Sequence, residues 1–147
     1  MSDDRILRLE RLIPAPPQAV FDAWTKPELL VKWWGPDGFD VPAHDLDVRS
    51  GGQWHTTMRS PEGKLHSASG IYRAVEPPRR LILTWGWDDE DGMRGDETEV
   101  TVTFEPAPGG TRLVLEQQIF DSKKNRDAHQ EGWSSSLDCL VRLLSSQ

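Results

Sequence analysis

Between Phe39 and Ile119 the chain is cut into short alternating runs by turn signals, and this punctuation restricts the fold more than any other feature. The signals are Ser50-Gly51-Gly52, Pro61-Glu62-Gly63, Glu76-Pro77-Pro78, Gly92 to Gly95, and Pro106 to Gly110. Connections this short join antiparallel neighbours, so six strands in a row of hairpins are predicted. Leu7 and Leu9, alternating with Arg8 and Glu10, add a strand ahead of them. Pro14, Pro16 and Pro17 end it. Pro17 starts a helix with Val20, Phe21 and Trp24 on one face, and Pro27 starts a second that carries Leu30, Trp33 and Trp34 and stops at Gly35-Pro36. From Asp121 to Leu144 there is no proline, and Trp133, Leu137, Leu140, Val141 and Leu144 recur at helical spacing. An antiparallel sheet with one apolar face needs a cover, and this tail helix supplies it. The expectation is a single α+β domain over residues 1–147.

Leu, Ile, Val and Phe supply only 33 residues, a proportion close to that of chains that stay disordered. Seven tryptophans offset this, because each buries a large apolar area and few positions then suffice for a core or a cavity wall. The 24 acidic and 17 basic side chains leave a net charge of −7, which argues against nucleic acid as a partner. No apolar run approaches the length of a membrane span, and the acidic Met1-Ser2-Asp3-Asp4 start lacks a signal-peptide pattern, so a cytoplasmic protein is expected. The single cysteine, Cys139, makes neither an internal disulfide nor a thiolate metal cage.

Turn centres fix which residues face each other across the sheet. Centring turns near 62, near 77 and 78, across 88–97, and near 108 and 109 puts Trp54, Gly70, Trp85, Val100 and Gln117 in one inward row. Tyr72, Leu83, Val102 and Leu115 form the next row, and Glu99, Thr101, Thr103, Arg112 and Glu116 face outward. Gly70, between two tryptophans, reads either as a floor left open for a ligand or as relief of crowding. Thr56, Met58, His66, the Tyr72 hydroxyl and Gln117 share the inner face, and sparse polar groups in an apolar concavity suit a small-molecule pocket. Trp133 and Leu137 face it from the tail helix, where Gly132 interrupts a helical run at about 1 kcal/mol relative to alanine.

Other signals fail on spacing. His44, His55 and His66 recur every 11 residues, but the hairpin arithmetic sets His44 opposite Thr57 and His66 opposite Met58, which leaves His55 and His66 on opposite faces. No metal and no cofactor is expected. His129 lacks a histidine four residues away for a helical metal pair. Asp88-Asp89-Glu90-Asp91-Gly92 fails as a calcium loop because Trp87 falls at the first ligand position. It reads as part of a solvated, mobile acidic hairpin loop. No coupled acid–base pair is visible, so no catalytic residue is assigned.

The chain resembles the family named for the activator of heat-shock-protein-90 ATPase, within the START-like superfamily of polyketide cyclases and lipid carriers. The resemblance rests on Pro14-Ala15-Pro16-Pro17 before Val20-Phe21, on Trp33-Trp34-Gly35-Pro36, on Asp47-Val48-Arg49 before Gly51-Gly52, on Pro77-Pro78 before Leu81 and Thr84-Trp85, and on Gly132-Trp133 before Leu137 and Leu140. It implies a helix-grip fold: a curved antiparallel seven-stranded sheet around a long C-terminal helix, with two short helices after the first strand and a cavity between sheet and helix. The expected function is binding of a small hydrophobic or amphipathic ligand in that cavity. The contacts assigned are Trp54, Met58, His66, Gly70, Tyr72, Leu83, Trp85, Val100, Gln117, Trp133 and Leu137. The alternatives are a chaperone-associated protein-interaction domain and a cyclase or hydratase using the same cavity.

Overall fold

The computed structural model describes residues 6–35, 38–88, 98–118 and 123–145. Strand β1 (Leu7–Ile13) is followed by helices α1 (Pro17–Thr25) and α2 (Pro27–Leu30). Six strands come next: β2 (Asp40–Leu46), β3 (Gln53–Arg59), β4 (Leu65–Glu76), β5 (Arg80–Asp88), β6 (Thr98–Ala107) and β7 (Gly110–Gln118). Helix α3 (Lys123–Ser145) ends the chain. The strands form one seven-stranded antiparallel sheet in the order β1-β7-β6-β5-β4-β3-β2. The hairpin strands therefore lie in sequence order, and β1 crosses to the far edge beside β7.

Proline sets the helix boundaries. Pro17 occupies the first turn of α1, where its missing N–H costs nothing, and the helix buries Val20, Phe21, Ala23 and Trp24. Pro27 separates α1 from α2. Helix α2 is shorter than the sequence suggests: it ends at Leu30, and Trp33 and Trp34 lie in the turn beyond it, their N–H groups donating to Leu30 O at 3.2 and 3.0 Å. The turn holds because both indoles bury inward, where tertiary packing overrides helical continuation.

Sheet and α3 sandwich one core. Leu7, Leu81, Val100, Val102, Phe104, Leu113 and Leu115 point in from the strands, and Trp133, Leu137, Leu140 and Leu144 meet them from α3. Arg11 ties the edge of the sheet to the helix, donating from Nε to Asp138 at 3.1 Å and from NH2 to Ser134 Oγ at 2.8 Å. The outer face carries ion pairs instead: Arg112 bonds both Glu10 and Glu105, and Arg8 bonds Glu10. The two arginines hold the Glu10 carboxyl down at about 2, Arg112 contributing most.

Three registers differ from the hairpin arithmetic. Across β5 and β6, Leu83 pairs with Val100 and Leu81 with Val102, a slip of two residues, so Trp85 pairs with Thr98 and not with Val100. A slip of two keeps every inward residue inward, which is why the core assignment survives it. Across β2 and β3, His44 lies opposite Thr56, not Thr57, a slip of one that moves His44 to the other face, and an irregularity follows between Asp40 and Ala43. A bulge between Tyr72 and Ala74 likewise exchanges the faces of the end of β4, turning Val75 toward Leu81. The acidic connection, residues 89–97, lies outside the described residues, as do residues 119–122 before α3.

Candidate functional site

Six tryptophans from five segments meet between sheet and helix. Trp34 is at the centre, its ring centroid 5.4 to 6.2 Å from those of Trp24, Trp33, Trp54, Trp85 and Trp133. Most of these contacts are edge-to-face, the arrangement that sets one ring's positive edge against the next ring's negative face. Polar edges are satisfied locally. Trp33 Nε1 donates to Ala23 O at 2.9 Å, Trp34 Nε1 to Thr56 Oγ1 at 3.0 Å, and Trp54 Nε1 to Thr84 O at 2.9 Å. The Nε1 of Trp24 is buried without a hydrogen-bond partner.

The cluster fills most of the space in which the sequence places a cavity. What remains is a void of about 10 Å³ lined in part by Trp24, Trp34, Trp54, Thr56, Tyr72 and Leu83. That is about enough for one water molecule. Gly70 is not an open floor. A Cβ there would lie 1.9 Å from Thr84 O and 2.6 Å from Trp54 Nε1, because the Trp54 indole crosses Gly70 to reach the Thr84 carbonyl. Close approach of backbone and ring explains the glycine. Gly132 receives no such explanation, since nothing outside its own helix approaches within 4 Å.

A polar cluster occupies the end of the grip near the start of α3. Gln117, fully buried, accepts from Trp133 Nε1 at 2.8 Å, lies 3.2 Å from His129 Nδ1, and donates to Thr98 Oγ1 at 2.7 Å. Thr98 in turn donates to Trp85 O at 3.2 Å. Burial pushes His129 down to about 4, so its ring is neutral near neutrality. Burial, with the charge of Asp47 in support, raises the Tyr72 hydroxyl above its ordinary range.

The structure brings Trp54, Tyr72, Leu83, Trp85, Gln117, Trp133 and Leu137 to the interior, along with Met58 and Val100. The polar groups expected to orient a ligand do not converge. Tyr72 and Gln117 share one row but are separated by Leu83 and Val100, and His66 sits at the opposite end of β4, its ring 6.1 Å from that of Phe39. Sequence reasoning missed Trp24 and Trp34 as site residues by assigning them only to helix faces. Their signal was size, an indole being the largest apolar side chain available to fill the grip.

On the outer face a depression of about 370 Å³ is lined by Asp45, His55 and Ser69, which are cross-strand partners in one row. These are the residue types of a nucleophilic triad, but no hydrogen bond joins Asp45 to His55, and Asp45 is exposed. Among the described residues no three metal-ligating side chains gather. No helix among them is long and apolar enough to cross a membrane.

Comparison with known proteins supplies the family. The family model described as Activator of Hsp90 ATPase homolog 1-like protein matches residues 14–145. An AHSA1 protein from Silicibacter pomeroyi has a solved structure that is 39% identical, covering 95% of this chain and 97% of its own, with a TM-score of 0.89. Proteins from Chromobacterium violaceum (29% identity, 97% and 98% covered, TM-score 0.84) and Nitrosomonas europaea (27%, 99% and 97%, 0.82) share the fold. No curated protein matches the chain.

Proposed function

Because the chain belongs to the Activator of Hsp90 ATPase homolog 1-like family and has its START-like fold, we propose that it binds a small hydrophobic or amphipathic molecule between the sheet and α3. One observation carries the reading: Trp24, with its Nε1–H buried and unpartnered, lines the one internal void described in the grip. Buried donors are almost always paired, and an orphan beside a void marks a position that something else completes. The ligand's contacts are Trp54, Tyr72, Leu83 and Trp85 on the sheet and Trp133 and Leu137 on the helix.

Occupancy requires room, and Trp34 is the group that gives way. It lies in a turn between a four-residue helix and Gly35, whose φ of +93° suits a chain reversal rather than a regular element. Exposing an indole of roughly 200 Å² costs about 5 kcal/mol at about 25 cal/mol per Å². A ligand offsets that with about six methylenes at about 0.8 kcal/mol each. Chains of octyl length or longer, or fused rings, are therefore the appropriate size.

The test is titration with N-phenyl-1-naphthylamine, an uncharged fluorescent probe, on the wild type and Trp34→Leu. Saturable one-to-one binding is expected, tighter in the variant because no indole must leave. A flat titration in both proteins would overturn the binding reading. The small size of the void favours a second reading, a protein-interaction domain with a permanently closed core. That reading gains if freshly purified protein yields no small molecule on solvent extraction and the probe fails to bind.

A further inference from the structure

We infer that the ligand of the grip is electrically neutral and presents an oxygen acceptor, a carbonyl or a hydroxyl, to the Trp24, Thr56 and Tyr72 end of the void. The inference rests on the binding reading above and specifies what that site takes.

The interior is polar in places but holds no ionised group among the described residues. Its buried polar side chains, apart from the indoles and Tyr72, are Thr56, Ser60, Thr84, Thr98, Thr111, Gln117 and Ser136. The arginines lie at or near the surface. Those of the outer face pair with Glu10, Glu76, Glu99, Glu105 and Glu116, and Arg11, the least exposed, is committed to Asp138 and Ser134 at the edge of α3. His129 lies against the tryptophans, 6.4 Å from Trp85 between ring centroids, and it is neutral there. Asp47, the charge nearest in effect to Tyr72, is half exposed and held by Arg49 at 2.9 Å.

Among the described residues, a carboxylate placed in this space finds no cation and an ammonium finds no unpaired carboxylate. An ion taken from water without a buried counter-charge loses more than neutral hydrogen bonds return. The groups around the void are instead suited to a neutral oxygen. Trp24 Nε1–H is a donor without an acceptor. Thr56 Oγ1 already accepts from Trp34, so its own proton remains to donate. The Tyr72 hydroxyl, 3% exposed as a residue, makes no hydrogen bond to a described residue and stays protonated throughout the physiological range. Three donors face the void, one of them an indole N–H that can only donate, and an acceptor oxygen on the ligand is what satisfies it.

The experiment compares octyl compounds that differ only at the head, 2-octanone, 1-octanol, octanoate and octylammonium, as competitors of N-phenyl-1-naphthylamine at pH 7. The ketone and the alcohol are expected to displace the probe at concentrations at least about tenfold below either ion. Tyr72→Phe combined with Thr56→Val should weaken 2-octanone and 1-octanol by about threefold or more while leaving the affinity for the probe itself unchanged, a selectivity that mere loosening of the core would not give. Octanoate or octylammonium competing as well as the neutral pair overturns the inference while leaving the binding reading intact. A probe that does not bind at all removes the binding reading and this inference with it.

Discussion

The two ends of the grip solve the same problem in opposite ways. Near the start of α3, Gln117 gathers the polar edges of Trp133, Thr98 and His129 into one hydrogen-bonded network. At the α1 end, Trp24 Nε1 is buried without a hydrogen-bond partner beside a void that Tyr72 also lines. A bonded network fixes geometry, whereas an incomplete one leaves capacity for an incoming molecule. Under the proposed function, this difference assigns structural support to one end and ligand recognition to the other.

Breaking the closed end should have the largest effect. Gln117→Met removes the acceptor of Trp133 Nε1 and the donor to Thr98 while keeping length, so a loss of about 2–3 kcal/mol is expected from denaturant unfolding. A loss below half of that would show that the network is expendable.

The same end should respond to acid. His129 is held near 4 when folded and returns to its ordinary 6.5 when unfolded, so below that ordinary value the unfolded state binds more protons. The stabilisation is complete above about 6.5 and is lost as pH falls toward 4. Between pH 7 and pH 5 the wild type should lose about 1–2 kcal/mol more than His129→Gln does. Parallel pH profiles for the two proteins would mean that His129 reaches solvent.

The open end should barely respond. Tyr72→Phe removes a hydroxyl without a described partner, so stability should stay within about 0.5 kcal/mol of wild type in the same unfolding assay. A larger loss would reveal a partner for that hydroxyl and remove the contrast between the two ends.

Much of this arrangement is legible in the residues. Proline and glycine punctuation places the seven strands, and the alternation of Val100, Val102 and Phe104 with Glu99, Thr101 and Thr103 assigns their faces correctly. The register of β5 against β6 is less accessible, because its connection is long and a two-residue slip leaves the hydrophobic pattern unchanged. The face of His44 fails for the opposite reason, since a shift of one residue across the connection from β2 to β3 reverses it and nothing in the alternation announces that shift. The site itself is the hardest to read. That Gly70 is crossed by an indole depends on Trp54 reaching a backbone carbonyl two strands away, and side-chain to backbone bonds leave no periodic trace. That Trp34 fills the grip depends on α2 stopping at Leu30, a boundary no capping residue marks.

The pairing of β1 with β7 also governs how long the folded state lasts. Every other strand pairs with its neighbour in sequence, so those contacts close short loops early, whereas Leu7 must find Gln117 across nearly the whole chain. Interactions made by β1 then form after the rate-limiting barrier. Arg11→Ala, which frees β1 from Asp138 and Ser134, should speed unfolding severalfold and leave refolding almost unchanged in stopped-flow measurements. A slowed refolding arm would place β1 in the nucleus instead. With β1 outside it, the first strand of the chain is the last to join the sheet, and its departure begins unfolding at the edge farthest from β2.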